Sequence, residues 1–154
     1  MRVAIGGDHA GFRLKTVIIQ AVKDLGHDVT DHGSYDETPV DFPDVTRRVC
    51  ADVLDGNADR AVLVAGTGAG VVIAANKIRG IRASICHDGH TAHQCVEHDD
   101  ANVMCIGAKI VGSWLAVDLV STYLQARFSG DEDAARRVEK IRQMERNGFG
   151  NTGA

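Results

Sequence analysis

The sequence predicts a single-domain α/β fold, a doubly wound sheet of five parallel strands sandwiched between helices in three αβα layers. Three observations carry that expectation. Short β-prone runs alternate with segments of helical apolar spacing along the whole chain. Polar or glycine-rich turns follow the runs Arg2 to Gly6, Arg60 to Ala65 and Ala83 to Cys86, as at the carboxyl edge of a parallel sheet. The 154 residues, 44% hydrophobic and 25% charged, suit one globular domain with a substantial core.

Each element has a local reason. Arg2 to Gly6 is a short β-prone run that ends in the polar turn Gly7-Asp8-His9-Ala10-Gly11. From Phe12 to Leu25, Leu14, Val17, Ile18, Ala21, Val22 and Leu25 fall at helical spacing, and Gly26 marks the stop. His27 to Asp31 supplies a second strand, and Gly33 to Phe42 reads as loop. A helix begins near Pro43-Asp44, where proline suits a first turn, and runs to Gly56. The unbroken apolar stretch Ala61 to Ala65 predicts a buried central strand. It leads into Gly66-Thr67-Gly68-Ala69-Gly70 and a helix ending at Asn76-Lys77. Ala83 to Cys86 forms a fourth strand, Thr91 to Glu97 a short helix and Asn102 to Ile106 a fifth strand. Trp114 to Phe128 is a long helix, its apolar stripe read as core or subunit interface. Residues 1–146 thus make one domain closed by a charged helix from Asp131 to Arg146, and 147–154 a flexible, glycine-rich tail.

Composition excludes several classes. A net charge of −4 gives no footprint for nucleic acid or an anionic membrane surface. No apolar run approaches a membrane span, and Met1 leads straight into a strand, so cytoplasmic residence is expected. Cys50, Cys86, Cys95 and Cys105 lack CxxC pairing and read as buried free thiols.

The Gly66 to Gly70 loop is the candidate site, because bare backbone N–H groups at the end of a buried strand attract oxyanions. A dinucleotide fits poorly, since Val71 stands where the third glycine of GxGxxG belongs. The connection rule groups four polar turns on one edge: Asp8-His9, Thr67, His87-Asp88-Gly89-His90 and His98-Asp99-Asp100. His98-Asp99-Asp100 precedes a strand, so topology alone puts it on the opposite edge unless the helix before it is short or the loop folds back. Blander readings stand beside these. Asp8 suits a turn or helix cap, His87, His90 and His93 suit a solvated face better than zinc, and Arg136, Arg137, Lys140 and Arg142 suit a solvated charged face.

Several of these motifs occur together and in order: Gly7-Asp8-His9-Ala10-Gly11, Gly66-Thr67-Gly68-Ala69-Gly70 with Ile73-Ala74-Ala75-Asn76-Lys77, Gly80-Ile81-Arg82-Ala83, Glu97-His98 with Asn102, and Gly107-Ala108-Lys109. As a set they resemble the ribose-5-phosphate isomerase B family, which includes the galactose-6-phosphate isomerase subunits. The resemblance implies aldose–ketose isomerisation of a phosphorylated sugar through an enediolate, in a homodimer with sites at the subunit interface or a tetramer, without metal or organic cofactor. It implies that His98 opens the sugar ring, that Asp8 assists, and that Thr67 with the Gly66, Gly68 and Gly70 amides holds the enediolate. Phosphate falls to His9, Arg137 and a Lys109 reaching across the interface, where the family commonly has arginine. Asn76 joins the substrate-binding set.

Two departures stand out. Ala65 occupies the position where many members carry a cysteine base, and Val71 the position where a subgroup carries glutamate. Three accounts are open: a cysteine replaced to trap substrate, a base relocated to Asp99, or lost turnover with retained sugar-phosphate binding. Asp133 stands near the usual place of a second phosphate-binding arginine, which implies altered or shifted phosphate binding.

Overall fold

Burial decides the sheet order. The computed structural model describes residues 1–147, and its five parallel strands lie in the order β2-β1-β3-β5-β4. They are β1 (Arg2–Gly7), β2 (Asp28–Asp31), β3 (Arg60–Ala65), β4 (Ala83–Ile85) and β5 (Val103–Gly107). The central β3 is buried from Ala61 to Ala65 and pairs β1 on one side and β5 on the other. Its unbroken apolar run is what a strand covered on both faces requires. The less apolar β2, Asp-Val-Thr-Asp, sits at one edge.

Helices α1 (Phe12–Asp24), α4 (Gly89–Glu97) and α5 (Ser113–Gln125) cover one face of the sheet, and α2 (Phe42–Leu54) and α3 (Ala69–Ala75) the other. Ile18, Val62, Met104 and Leu119 close the first core layer, and Val49, Leu63, Val71 and Cys105 the second. A sixth helix, α6 (Glu132–Asn147), buries only Ala134 and Val138. It is tied at one end by Ser129 N–H donating to Glu97 O (2.9 Å) and at the other by Glu145 accepting from Gly80 N–H (3.2 Å). The fold class agrees with the sequence reading; the expected tail, apart from Asn147, lies outside the described residues.

Three helix boundaries shift for local reasons. α4 starts at Gly89 rather than Thr91, because the Asp88 carboxylate accepts from Thr91 N–H at 2.8 Å and caps the helix earlier. α2 starts one residue before Pro43, leaving the proline within its first turn. α5 stops at Gln125 rather than Phe128: Arg60 donates to the carbonyls of Tyr123 and Ala126, drawing the chain end onto β3.

Inside the second layer, the Thr46 hydroxyl is buried with no hydrogen-bond partner among the described residues. An orphaned hydroxyl costs desolvation that an isosteric methyl does not. Thr46→Val is therefore expected to stabilise the protein by about 1 kcal/mol, read as a higher urea midpoint at constant m.

Candidate functional site

The glycine loop at the carboxyl edge presents three backbone donors that are unpaired among the described residues. Leaving β3, the chain bends at Gly68 with φ +82°, a left-handed conformation that a side chain would strain, before α3 begins at Ala69. Ala69 N–H is taken by Thr67 Oγ1 at 3.3 Å. The N–H groups of Thr67, Gly68 and Gly70 find no acceptor among the described residues. With only seven residues in α3, these aimed amides matter more than its dipole.

Beside this loop the Gly7–Gly11 turn is closed twice: Asp8 N–H donates to Val64 O at 3.2 Å, and Asp8 Oδ1 accepts from Gly11 N–H at 2.9 Å. Asp8 is thus the cap-like turn residue foreseen as its blander reading, and its second carboxylate oxygen makes no hydrogen bond among the described residues. His9 Nδ1 accepts from Val40 N–H at 3.4 Å, which leaves the proton on Nε2. Lys109 N–H donates to Gly66 O at 2.9 Å, and the Lys109 stem runs past that glycine. His9 and Lys109 of the same chain line one cleft of about 630 Å³, with an Arg13–Glu37 ion pair also on its wall. Lys109 thus stands beside its own chain's glycine loop.

His98, Asp99 and Arg137 gather elsewhere. α4 starts at the carboxyl edge, and its nine residues carry the chain about 13 Å toward the amino edge before His98. Its cap titrates: hydrogen bonds from the Thr91 hydroxyl and amide hold the Asp88 carboxyl below its ordinary range. A carboxyl depressed in the folded state adds stability above its unfolded pKa and loses it as pH falls through the folded one. The stability gap between the wild type and Asp88→Ala should hold from neutral pH to about 5 and close below about 4, as measured by urea unfolding across pH.

Alongside α4, His98, Asp99 and Arg137 line a cleft of about 260 Å³ with Ser84, Thr91, Gln94 and Cys95. His98 Nδ1 lies 3.1 Å from Gln94 Nε2, which leaves a proton for Nε2. The turn after His98 is held by Arg82, which donates to Asp99 O (3.2 Å), Asp100 O (2.8 Å) and Asp100 Oδ2 (2.6 Å), while Asp100 takes φ +51°. Asp133 pairs with Arg136 at 2.6 Å and with Arg137 at 3.9 Å, so the acidic departure sits against the arginine expected to bind phosphate.

Asn76 makes a structural tie: its carboxamide accepts from Ala83 N–H (2.8 Å) and donates to Ala83 O (2.9 Å), fastening the end of α3 to the start of β4. Ala65 and Val71 are both buried in the second core layer, so neither position offers a proton acceptor. The deep thiols of Cys50, Cys86 and Cys105 do not replace one. Burial pushes Cys50 up to about 11 and Cys105 higher, and Cys86 is raised by its contact with Cys95 and by burial.

Sequence reasoning missed Arg82 as the organiser of the 99–100 turn, the 3.8 Å contact between the Cys86 and Cys95 sulfurs, and the partner of His87. None has a signal in spacing, because each joins residues brought together only by packing. Among the described residues, no group of three or more His, Cys, Asp or Glu is arranged to hold a metal ion, and no helix is long and apolar enough to cross a membrane.

The glycine loop, the Asp8-His9 turn and the His98 cleft all lie within residues 3–141, which match the family described as Ribose/Galactose Isomerase. The chain belongs to the ribose/galactose isomerase family. Within it, the chain is 38% identical to a Listeria innocua protein named ribose-5-P isomerase B, over 95% of this chain and all of that one. It is 39% identical to a Pectobacterium atrosepticum D-erythrulose-4-phosphate isomerase, over 92% and 93% of the two chains. The family fold is shared at TM-score 0.92 with the Clostridium thermocellum ribose-5-phosphate isomerase B structure, at 42% identity, covering 95% of this chain and 98% of that one.

Proposed function

We propose that this protein is an aldose–ketose isomerase of a small phosphorylated sugar, working through an enediolate, with each site completed by a second copy of the chain. The observation that carries it is the trio of N–H groups at Thr67, Gly68 and Gly70, unpaired among the described residues, beside a cleft lined by His9 and Lys109. Such donors gain most when charge builds on an oxygen, as it does when a proton leaves the carbon next to a carbonyl. His9 and Lys109 take the phosphate. The partner's His98, through Nε2, and the free oxygen of Asp8 exchange protons with the ring oxygen and a hydroxyl to open the sugar. The partner's Arg137 adds a second cation at the phosphate, and the partner's Asp99 moves the proton between C1 and C2, in place of the missing cysteine. Homodimeric association follows from this division of labour, and four reduced thiols suit a cytoplasmic setting.

A second reading has its own observation: Ala65 and Val71 are apolar and packed, which suits a protein that binds sugar phosphates without turning them over. Incubation in deuterated water with ribose 5-phosphate, erythrulose 4-phosphate and galactose 6-phosphate separates the two. Label entering C2 of either aldose phosphate, or C1 of the ketose erythrulose 4-phosphate, supports the isomerase. Binding with no label in all three favours the binder, and recovery of exchange in Ala65→Cys then shows that only the base was missing.

A further inference from the structure

We propose that His87 donates a hydrogen bond from a neutral imidazole to a substrate oxygen at the glycine loop, a role resting on the isomerase reading above. The strand order places β5 between β3 and β4, so Thr67, Gly107 and His87 stand at three neighbouring strand ends on the carboxyl edge. The contacts there are close. A Cβ built on Gly107 would lie 2.7 Å from Thr67 O, and one built on Gly68 would lie 3.0 Å from the end of the Ile85 side chain. His87 follows Ile85 by two residues, so it borders the loop that bears the free amides.

One hydrogen bond sets its chemistry. Gly107 N–H donates to His87 Nε2 at 2.9 Å. A backbone N–H can only donate, so Nε2 must keep its lone pair, which excludes both the imidazolium and the tautomer protonated at Nε2. The ring proton then sits on Nδ1, which has no acceptor among the described residues, and the residue is only partly buried. The result is a pre-set, uncharged donor. An oxygen that alternates between carbonyl, enediolate and hydroxyl is served by such a donor, because a neutral N–H stabilises the developing charge while retaining its proton. The backbone amides of Thr67, Gly68 and Gly70 are donors of the same neutral kind, and His87 extends them from the β4 side.

The full-length protein tests this in two ways. In His87→Ala, kcat for the best substrate should fall about 10²-fold with KM within about twofold, since the phosphate contacts are untouched. His87→Gln, whose carboxamide can both accept from Gly107 N–H and donate, should recover at least a tenfold part of that loss. In the wild type labelled with ¹⁵N-histidine, His87 should be protonated at Nδ1 alone, and that proton should move downfield when a phosphorylated hydroxamate, a stable enediolate mimic, is added. The downfield move without deuterium exchange on any sugar phosphate overturns the isomerase reading and retains the His87 contact. Full kcat in His87→Ala, a loss confined to thermal stability, or an unmoved Nδ1 proton in the hydroxamate complex overturns the His87 proposal.

Discussion

His98→Asn is expected to lower kcat by about 10²- to 10⁴-fold, the usual worth of a positioned general acid or base, while leaving thermal unfolding nearly unchanged. The small stability effect follows from the site. The His98 side chain is 47% exposed, and its hydrogen bond is to Gln94 on the same surface. The large activity effect follows from the proposed division of the site between two protomers, which a mixing experiment examines separately. Thr67 lies at the carboxyl edge and His98 at the other end of α4, so Thr67→Ala and His98→Asn homodimers should each be nearly inactive. After subunit exchange, half of the dimers are mixed, and each mixed dimer carries one site free of both changes. Activity should then return to about one quarter of the wild-type level, as two-fold symmetry requires. If both residues served a site within one chain, mixing would restore nothing.

Gly11→Ala is expected to cost about 4 kcal/mol or more, the range reserved for a core or backbone collision. Gly11 has φ −89° and ψ −11°, a conformation open to alanine, so strain in its own backbone is not the cause. The cause is the approach of the first turn to the central strand. A Cβ there would lie 2.1 Å from Val64 O, 2.5 Å from Val64 C and 2.9 Å from Ala65 N. All three are backbone atoms of β3, which pairs strands on both sides and cannot give way locally. Moving Gly11 instead breaks its hydrogen bond to Asp8 and shifts the Asp8-His9 turn, so activity should fall with stability. Gly26→Ala is the contrasting case. Nothing lies within 4 Å of its Cβ, and its φ of +80° limits the loss to about 1 kcal/mol. Urea unfolding of the pair checks this; a Gly11→Ala loss no larger than that of Gly26→Ala would contradict the steric account.

The glycine loop could be read before any coordinates because its cause is local. An unbroken apolar run ends at alternating glycines, and glycine alone allows the bend at Gly68. The place of His98 was only half legible: a helix after a parallel strand returns the chain to the opposite edge, but a short helix or a folded-back loop would keep it beside Thr67. The tie made by Asn76 was not legible. Its motif is contiguous, but the partner of its carboxamide, Ala83, is set by how α3 meets β4.

By itself, then, the sequence determined the strands, the helices and the polar turns, because side-chain period, glycine and capping chemistry act over a few neighbouring residues. The tertiary structure alone decided that β5 inserts between β3 and β4. From that order follow the seat of His87 on Gly107, the closeness of Thr67 to both, and the hold of Arg82 on the 99–100 turn. These contacts join residues many positions apart, and their geometry comes from strand register and helix packing, which no short window of sequence contains.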